Sequence, residues 1–348
     1  MRGGPQVAAF ESEIADFLGV RRVVGVGSGT DALRLSLIAL GIGAGDEVIT
    51  VPMTFIATAE AIVQTGARPV FVDVDPATGN MSVPALEAYL REGHFKAPNG
   101  PGAIVPVHLY GLPAPLIELR RIADAYGLKL VEDACQAHGA RISDGSRWMR
   151  AGTVGEAGCF SFYPGKNLGA WGDGGAVATN DDELAATVQQ LRDHGRLSHY
   201  AHQSYGYNAR LDTMQAAVLR AKLERLDDWN ARRRRIASCY REQLQHVGIE
   251  FLNEPEGMES CYHLFVIRSP RRDVIRTTLL NAQIECGIHY PLPLHLQPAC
   301  RYLGYQPGDF PAAEAIADSV LSLPMHPHLK AAEVRQVSRT IELAMARG

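Results

Sequence analysis

Apolar and polar positions along the chain alternate between two periods. Near the start, Val7, Phe10, Ile14, Phe17 and Leu18 fall three or four residues apart, the stripe of a helix with one buried face. Mostly apolar runs follow at 23–26, 48–51, 69–74, 103–108, 129–131, 158–162 and 174–179. Runs of that length, bounded by turn residues, predict buried strands. Helical patterns separate many of them, among them one through Ala59 and Ile62 and one over 115–126. Strands alternating with helices predict an α/β fold built on a mostly parallel, helix-covered sheet.

Later in the chain the pattern changes. Leu211, Met214, Val218, Leu219, Leu223 and Leu226 predict one long helix over 209–229. Beyond Ile236 the elements are shorter, including a strand over 263–267 and a closing helix over 334–344. The shift predicts a large domain over 1–230 and a smaller C-terminal α+β domain over 231–348. A hydrophobic share of 46% in 348 residues suffices for both cores.

Charge and cysteine usage narrow the function classes. The net charge of -4 gives no global basic field for nucleic acid. The run Arg232–Arg235 points four ways around a helix and follows Glu224, Asp227 and Asp228, so it reads as a solvated face or a subunit contact. The six cysteines show neither a CxxC pair nor a zinc-like spacing, so no metal site is expected. No stretch is apolar enough to cross a bilayer, and no apolar region follows Met1–Pro5. A soluble cytoplasmic protein is expected.

Candidate chemistry concentrates where two strands end. The run 158–162 breaks at Pro164 and Gly165, which place Lys166 on a tight turn just past a strand. Parallel sheets carry ligand sites at such ends. A lysine partly withdrawn from water there loses proton affinity and becomes an amine able to form a Schiff base with an aldehyde. Upstream, Glu132 and Asp133 close another apolar strand, as the partner of a pyridinium nitrogen would. The turn Gly27–Thr30 opens a helix that Ser28 or Thr30 caps, and free amides there suit a phosphate. Lysine, carboxylate and the Ser161 hydroxyl together suggest pyridoxal phosphate.

Several separated motifs then stand in order: GSGTDAL at 27–33, PMTFIAT at 52–58, EDACQAHGA at 132–140, SFYPGKNLGAWGDGG at 161–175 and YNARLDTMQAA at 207–217. From about Gly4 onward the chain resembles the DegT/StrS family of sugar aminotransferases, pyridoxal-phosphate enzymes of fold type I. The resemblance implies that Lys166 binds the cofactor covalently, Asp133 pairs with the pyridine nitrogen and Gln136 contacts the phenolic oxygen. It implies that Gly29, Thr30 and Ser161 hold the phosphate, that Phe55 stacks on the ring, and that Asn208 reaches the cofactor of the neighbouring subunit in a homodimer. The implied reaction passes an amino group from a donor, usually glutamate, to a keto-sugar.

The stretches GIHYPLPLHLQPA at 287–299 and LSLPMHP at 321–327 look most like the subgroup that aminates C3 of nucleotide-linked, typically dTDP-linked, 3-keto-6-deoxyhexoses. There Tyr163, His199, His289 and Tyr290 would border the sugar, and Arg192 or Arg210 would meet the diphosphate. A 4-keto sugar or an inosose is the alternative substrate, and a non-catalytic cofactor-binding regulator the alternative class. Family members usually carry a further leading helix and turn before the position of Gly4, and no role is carried over from that segment.

Overall fold

The structure, a computed structural model, describes residues 4–93, 95–98, 102–198 and 200–346. Helix α1 (Pro5–Leu18) buries the expected stripe, with Phe10 edge-on to Phe162 at 5.3 Å. Strand β1 (Arg22–Val26), helix α2 (Gly29–Ala39), β2 (Glu47–Thr50), α3 (Ile56–Gln64) and β3 (Arg68–Phe71) follow. After α4 (Val83–Arg91) come β4 (Ala103–Ile104), α5 (Leu116–Tyr126) and β5 (Lys129–Asp133). The hairpin of β6 (Arg141–Ser143) and β7 (Trp148–Arg150) leads to β8 (Ala157–Ser161), β9 (Gly175–Thr179) and α6 (Asp182–Leu191). Next are α7 (Thr213–Leu223), α8 (Leu226–Leu244), β10 (Glu250–Phe251), β11 (Met258–Glu259) and β12 (Phe265–Arg268). Helices α9 (Arg272–Asn281) and α10 (Pro311–Ser319), strand β13 (Val320–Leu323) and α11 (Ala331–Ala346) complete the order.

Seven strands form the main sheet in the order β1-β9-β8-β5-β4-β2-β3. From β8 to β3 all pairings are parallel, and β9 runs antiparallel to both its neighbours. The mixed, mostly parallel sheet expected from the alternation is present. Alternating side chains supply two cores. Phe160, Ala176 and Ala178 pack with α1 and α7, whereas Cys159 and Val177 pack with α2 and α6 on the other face.

The single helix expected over 209–229 is two helices. Helix α7 ends at Leu223 and α8 starts at Leu226, with Arg225 N bonded to the Lys222 carbonyl at the break. No glycine or proline marks this turn, so hydrophobic spacing alone ran through it. Leu226 belongs to the core beneath the main sheet, whereas Ile236, Tyr240 and Leu244 join β12, β13, α9 and α11 in a second cluster. The expected boundary after residue 230 thus falls inside one helix.

Adjacent acids on β5 face opposite ways, as strand geometry requires. Glu132, wholly buried, accepts from the amides of Gly152 (2.6 Å), Val154 and Gly155 (both 2.7 Å) and lies 3.0 Å from His108 Nε2. His108 Nδ1 accepts from Ala114 N at 2.9 Å, so Nε2 carries the proton that Glu132 receives. The residue thereby ties the loop before β8 to the end of β5. Removing it would strand three N–H groups, that of Gly152 buried and those of Val154 and Gly155 partly so, at about 1–3 kcal/mol for a buried one. Glu132→Ala is therefore expected to cost roughly 3 kcal/mol or more of stability in urea denaturation; a loss under about 1 kcal/mol would contradict this reading.

Candidate active site

Asp133 ends β5 and Ser161 ends β8, neighbouring parallel strands, so both stand at the carboxyl edge of the sheet. Beyond Ser161 the chain turns at once: Lys166 N bonds the Tyr163 carbonyl at 2.9 Å, and Ala170 N returns to Phe162 at 2.8 Å. Helix α2 begins at the same edge. Ser28, not Thr30, is its cap, with Oγ accepting from Asp31 N at 3.0 Å. The Ser28 carbonyl takes Ala32 N, and the amides of Gly29 and Thr30 have no acceptor within the helix.

These elements enclose a cavity of about 690 Å³. Gly29, Thr30, Phe55, Asp133, Gln136, Ser161, Tyr163, Lys166, His289 and Tyr290 all line it, ten of the residues singled out from the sequence. Asn208 is exposed and outside this cavity, bridged to Asp193. His199 lies outside the described residues. Arg192 is engaged by Glu11 and the Gly25 carbonyl, both at 2.5 Å, and Arg210 by Asp193. Neither arginine lines the cavity, where Lys166 is the one lysine or arginine among the described residues.

Lys166 is half-buried, and burial pushes its pKa below the ordinary lysine value, opposed by the nearby Cys135, Asp133 and Cys261. A depressed ammonium pKa raises the share of neutral, nucleophilic amine. Asp133 is held at both oxygens: Oδ2 accepts from Thr58 Oγ1 at 2.8 Å and Oδ1 from Cys135 N at 3.2 Å. Since Thr58 donates to Asp133, Thr54 must donate in the 3.0 Å contact between the two threonines. Gln136 is oriented the same way, its Oε1 taking Tyr110 N at 2.7 Å and its Nε2 facing the Tyr290 hydroxyl at 3.2 Å. Tyr290 sits 5.9 Å from the Phe55 ring, and Phe55 remains 53% exposed toward the opening. His289 Nδ1 meets Ser322 Oγ at 2.9 Å, and burial, then Lys166, lowers its pKa.

Sequence reasoning missed Thr54, Thr58 and His263, which also line the cavity. The threonines stand inside the 52–58 motif, but Thr54 precedes α3, so their spacing of four carries no helical-face signal that both point the same way. His263 stands first in the strand expected over 263–267, and the structure starts that strand at Phe265, leaving His263 in the loop before it.

The residues present fit pyridoxal phosphate. A Cβ at Gly29 would stand 2.6 Å from Ser161 Cβ and 2.8 Å from Cys135 Sγ, so only glycine brings the helix start this close to the serine. Helix amides and a hydroxyl suit the phosphate. A flat ring has Phe55 to pack on, a fixed carboxylate for its nitrogen and a half-buried amine for its aldehyde. Among the described residues no group of three or more His, Cys, Asp or Glu could hold a metal, and no helix is long and apolar enough to cross a membrane.

The model of the DegT/DnrJ/EryC1/StrS aminotransferase family matches residues 1–342. The chain is 48% identical to the erythromycin biosynthesis sensory transduction protein EryC1 of Saccharopolyspora erythraea, covering 97% of this chain and 90% of that protein. It is 45% identical to the dTDP-3-amino-3,4,6-trideoxy-alpha-D-glucose transaminase of Streptomyces venezuelae, covering 96% and 86%. The crystal structure of S. venezuelae DesV in complex with a ketimine intermediate superposes with a TM-score of 0.93 at 42% identity, covering 99% of this chain and 90% of that one. Relatives of the same fold have been solved with the aminated cofactor, PMP. Fold, cavity and relatives agree: the chain belongs to the DegT/DnrJ/EryC1/StrS aminotransferase family and is a sugar aminotransferase of the pyridoxal-phosphate type.

Proposed function

We propose that this aminotransferase moves the amino group of an amino acid, by family resemblance glutamate, onto C3 of a dTDP-linked 3-keto-6-deoxyhexose. The observation that carries the reading is the meeting of Lys166, Asp133, Ser161 and the start of α2 on one cavity. Its support for the substrate is the similarity to transaminases named for dTDP-3-amino sugars.

Pyridoxal phosphate, when bound, supplies an electron sink for the carbanion that transamination requires. Gly29, Thr30 and Ser161 would hold its phosphate, and Phe55 would pack on its ring. Asp133, fixed by Thr58 and Cys135, would accept the pyridinium N–H and so favour the protonated ring. Gln136 reaches the phenolic oxygen. Lys166 Nζ would anchor the cofactor at its aldehyde, and once the donor's amine took that place the freed amine would hold the proton released from the donor's Cα until it is returned to the cofactor–substrate adduct. With a keto-sugar the same amine would serve in the opposite direction, so ping-pong kinetics are expected. Tyr163, His289 and Tyr290 border the sugar, and His199 is proposed to join them.

A homodimer accompanies this reading. Trp171 is 80% and Met214 78% exposed, and the bond from Trp171 N to Gln215 Oε1 (2.8 Å) keeps the two segments together. Apolar surface of this kind fits a second copy, whose cofactor Asn208 would then reach. The six free cysteines suit a reducing cytoplasm. We further divide the chain within α8, where the buried clusters part.

Lys166→Ala is expected to abolish turnover together with the cofactor's lysine-linked visible absorption; steady turnover by the variant would defeat the covalent role. Asp133→Asn is expected to retain cofactor but lose at least a hundredfold in kcat, since its work is on the carbanion; an unchanged kcat removes it from the mechanism. Offered 3-keto and 4-keto nucleotide sugars and an inosose in turn, the aminated enzyme should convert the 3-keto sugar, with product NMR placing nitrogen on C3. Conversion of either of the others instead overturns the assignment.

A further inference from the structure

One turn of α8 carries two buried polar side chains on a single face. Asn230 is 1% and Arg233 7% exposed, three residues apart, while their neighbours Arg232 and Arg234 pair with Asp228 and Glu259. Among the described residues no carboxylate pairs with Arg233. A guanidinium buried without a counter-charge costs stability unless it organises something else. Its Nη1 donates to the carbonyls of Tyr262 (3.1 Å), His263 (3.4 Å) and Met325 (3.1 Å). Tyr262 has φ +45°, a left-handed conformation that a bulky side chain resists, so the segment is held in place rather than relaxed.

The same segment is fastened from the lysine loop. Asn167, next to Lys166, donates to the Cys261 carbonyl and to Asn230 Oδ1, both at 2.9 Å, and Asn230 donates to the His138 carbonyl at 2.7 Å. Behind it stands Gly111, φ +98°, where a Cβ would come within 2.9 Å of His263 N and 2.7 Å of Cys261 Sγ. Residues 261–263 therefore have no room to retreat, and His263 is left on the cavity wall with Lys166, His289 and Tyr290. Its Nδ1 is buried with no hydrogen-bond partner.

We propose that His263 is a further substrate-facing residue, hydrogen-bonded to a hydroxyl or carbonyl oxygen of the sugar, and that Arg233 is a positioning residue acting through it. The proposal rests on reading the cavity as the aminotransferase site. Burial first, then Lys166 and Arg233, push the imidazole well below its usual pKa. A neutral ring beside Lys166 adds no charge and offers one donor and one acceptor. All three carbonyls are reached by Nη1 alone, which stands one bond further from the backbone than a lysine Nζ would, so a lysine here falls short of them.

The test uses the cofactor-loaded enzyme, His263→Asn, Arg233→Lys and the double variant, with each half-reaction followed in single turnovers. Each single change is expected to slow the sugar half-reaction about tenfold, the weight of one hydrogen bond, and to leave the amino-donor half-reaction within about twofold. The double variant should be no slower than His263→Asn alone. Hydrogen exchange across 260–264 should rise several-fold in Arg233→Lys, with 129–133 unchanged. Losses that multiply, equal losses in both half-reactions, or unaltered exchange overturn the positioning role. If Arg233→Lys does not fold, an unaltered sugar half-reaction in His263→Asn still overturns the proposal. A wild-type enzyme that takes an amino group from no donor would instead overturn the underlying reading.

Discussion

Everything in this molecule that bears on chemistry depends on withdrawing one amine from water beside a fixed carboxylate. Burial lowers the affinity of Lys166 for its proton, and Asp133 stands in the same cavity with both oxygens already held by the protein. The two effects pull against each other, since a nearby acid stabilises the ammonium; desolvation is the larger. Fixing Asp133 through Thr58 and Cys135 N keeps its carboxylate from swinging onto the amine. The proposed roles of the acid and the amine both require that separation.

The scaffold produces the arrangement by ordinary means. Parallel β5 and β8 bring their carboxyl ends together, and the turn after β8 presents Lys166 over them. Helix α2 starts at the same edge, with Gly29 against Ser161. Because β5 alternates, Asp133 faces the cavity while Glu132 faces the loop before β8 and locks the strand end that Asp133 occupies. One strand thus supplies a site residue and its structural anchor in adjacent positions. Helix α8 adds a second frame, joining the lysine loop, residues 261–263 and the C-terminal cluster through Asn230 and Arg233.

Much of this was legible in the chain. The Pro-Gly break around Lys166, the acid pair ending an apolar run and the small-residue turn before Thr30 are local signals, and the family motifs join them into one site. What the sequence hides is contact between distant segments. Nothing in residues 230–233 announces that one arginine of four turns inward to reach Tyr262, His263 and Met325. The break between Leu223 and Leu226 has no proline or glycine to mark it. The partners of the arginines offered for a diphosphate are hidden in the same way: Glu11 engages Arg192 from 181 residues away and Asp193 engages Arg210 from 17.

The most direct measurement is to reduce the cofactor-loaded enzyme with borohydride, digest it and locate the modified residue by mass spectrometry. The account predicts one pyridoxyl-phosphate adduct per chain, on Lys166. An adduct on another lysine, or none in a protein that still transaminates, would contradict it.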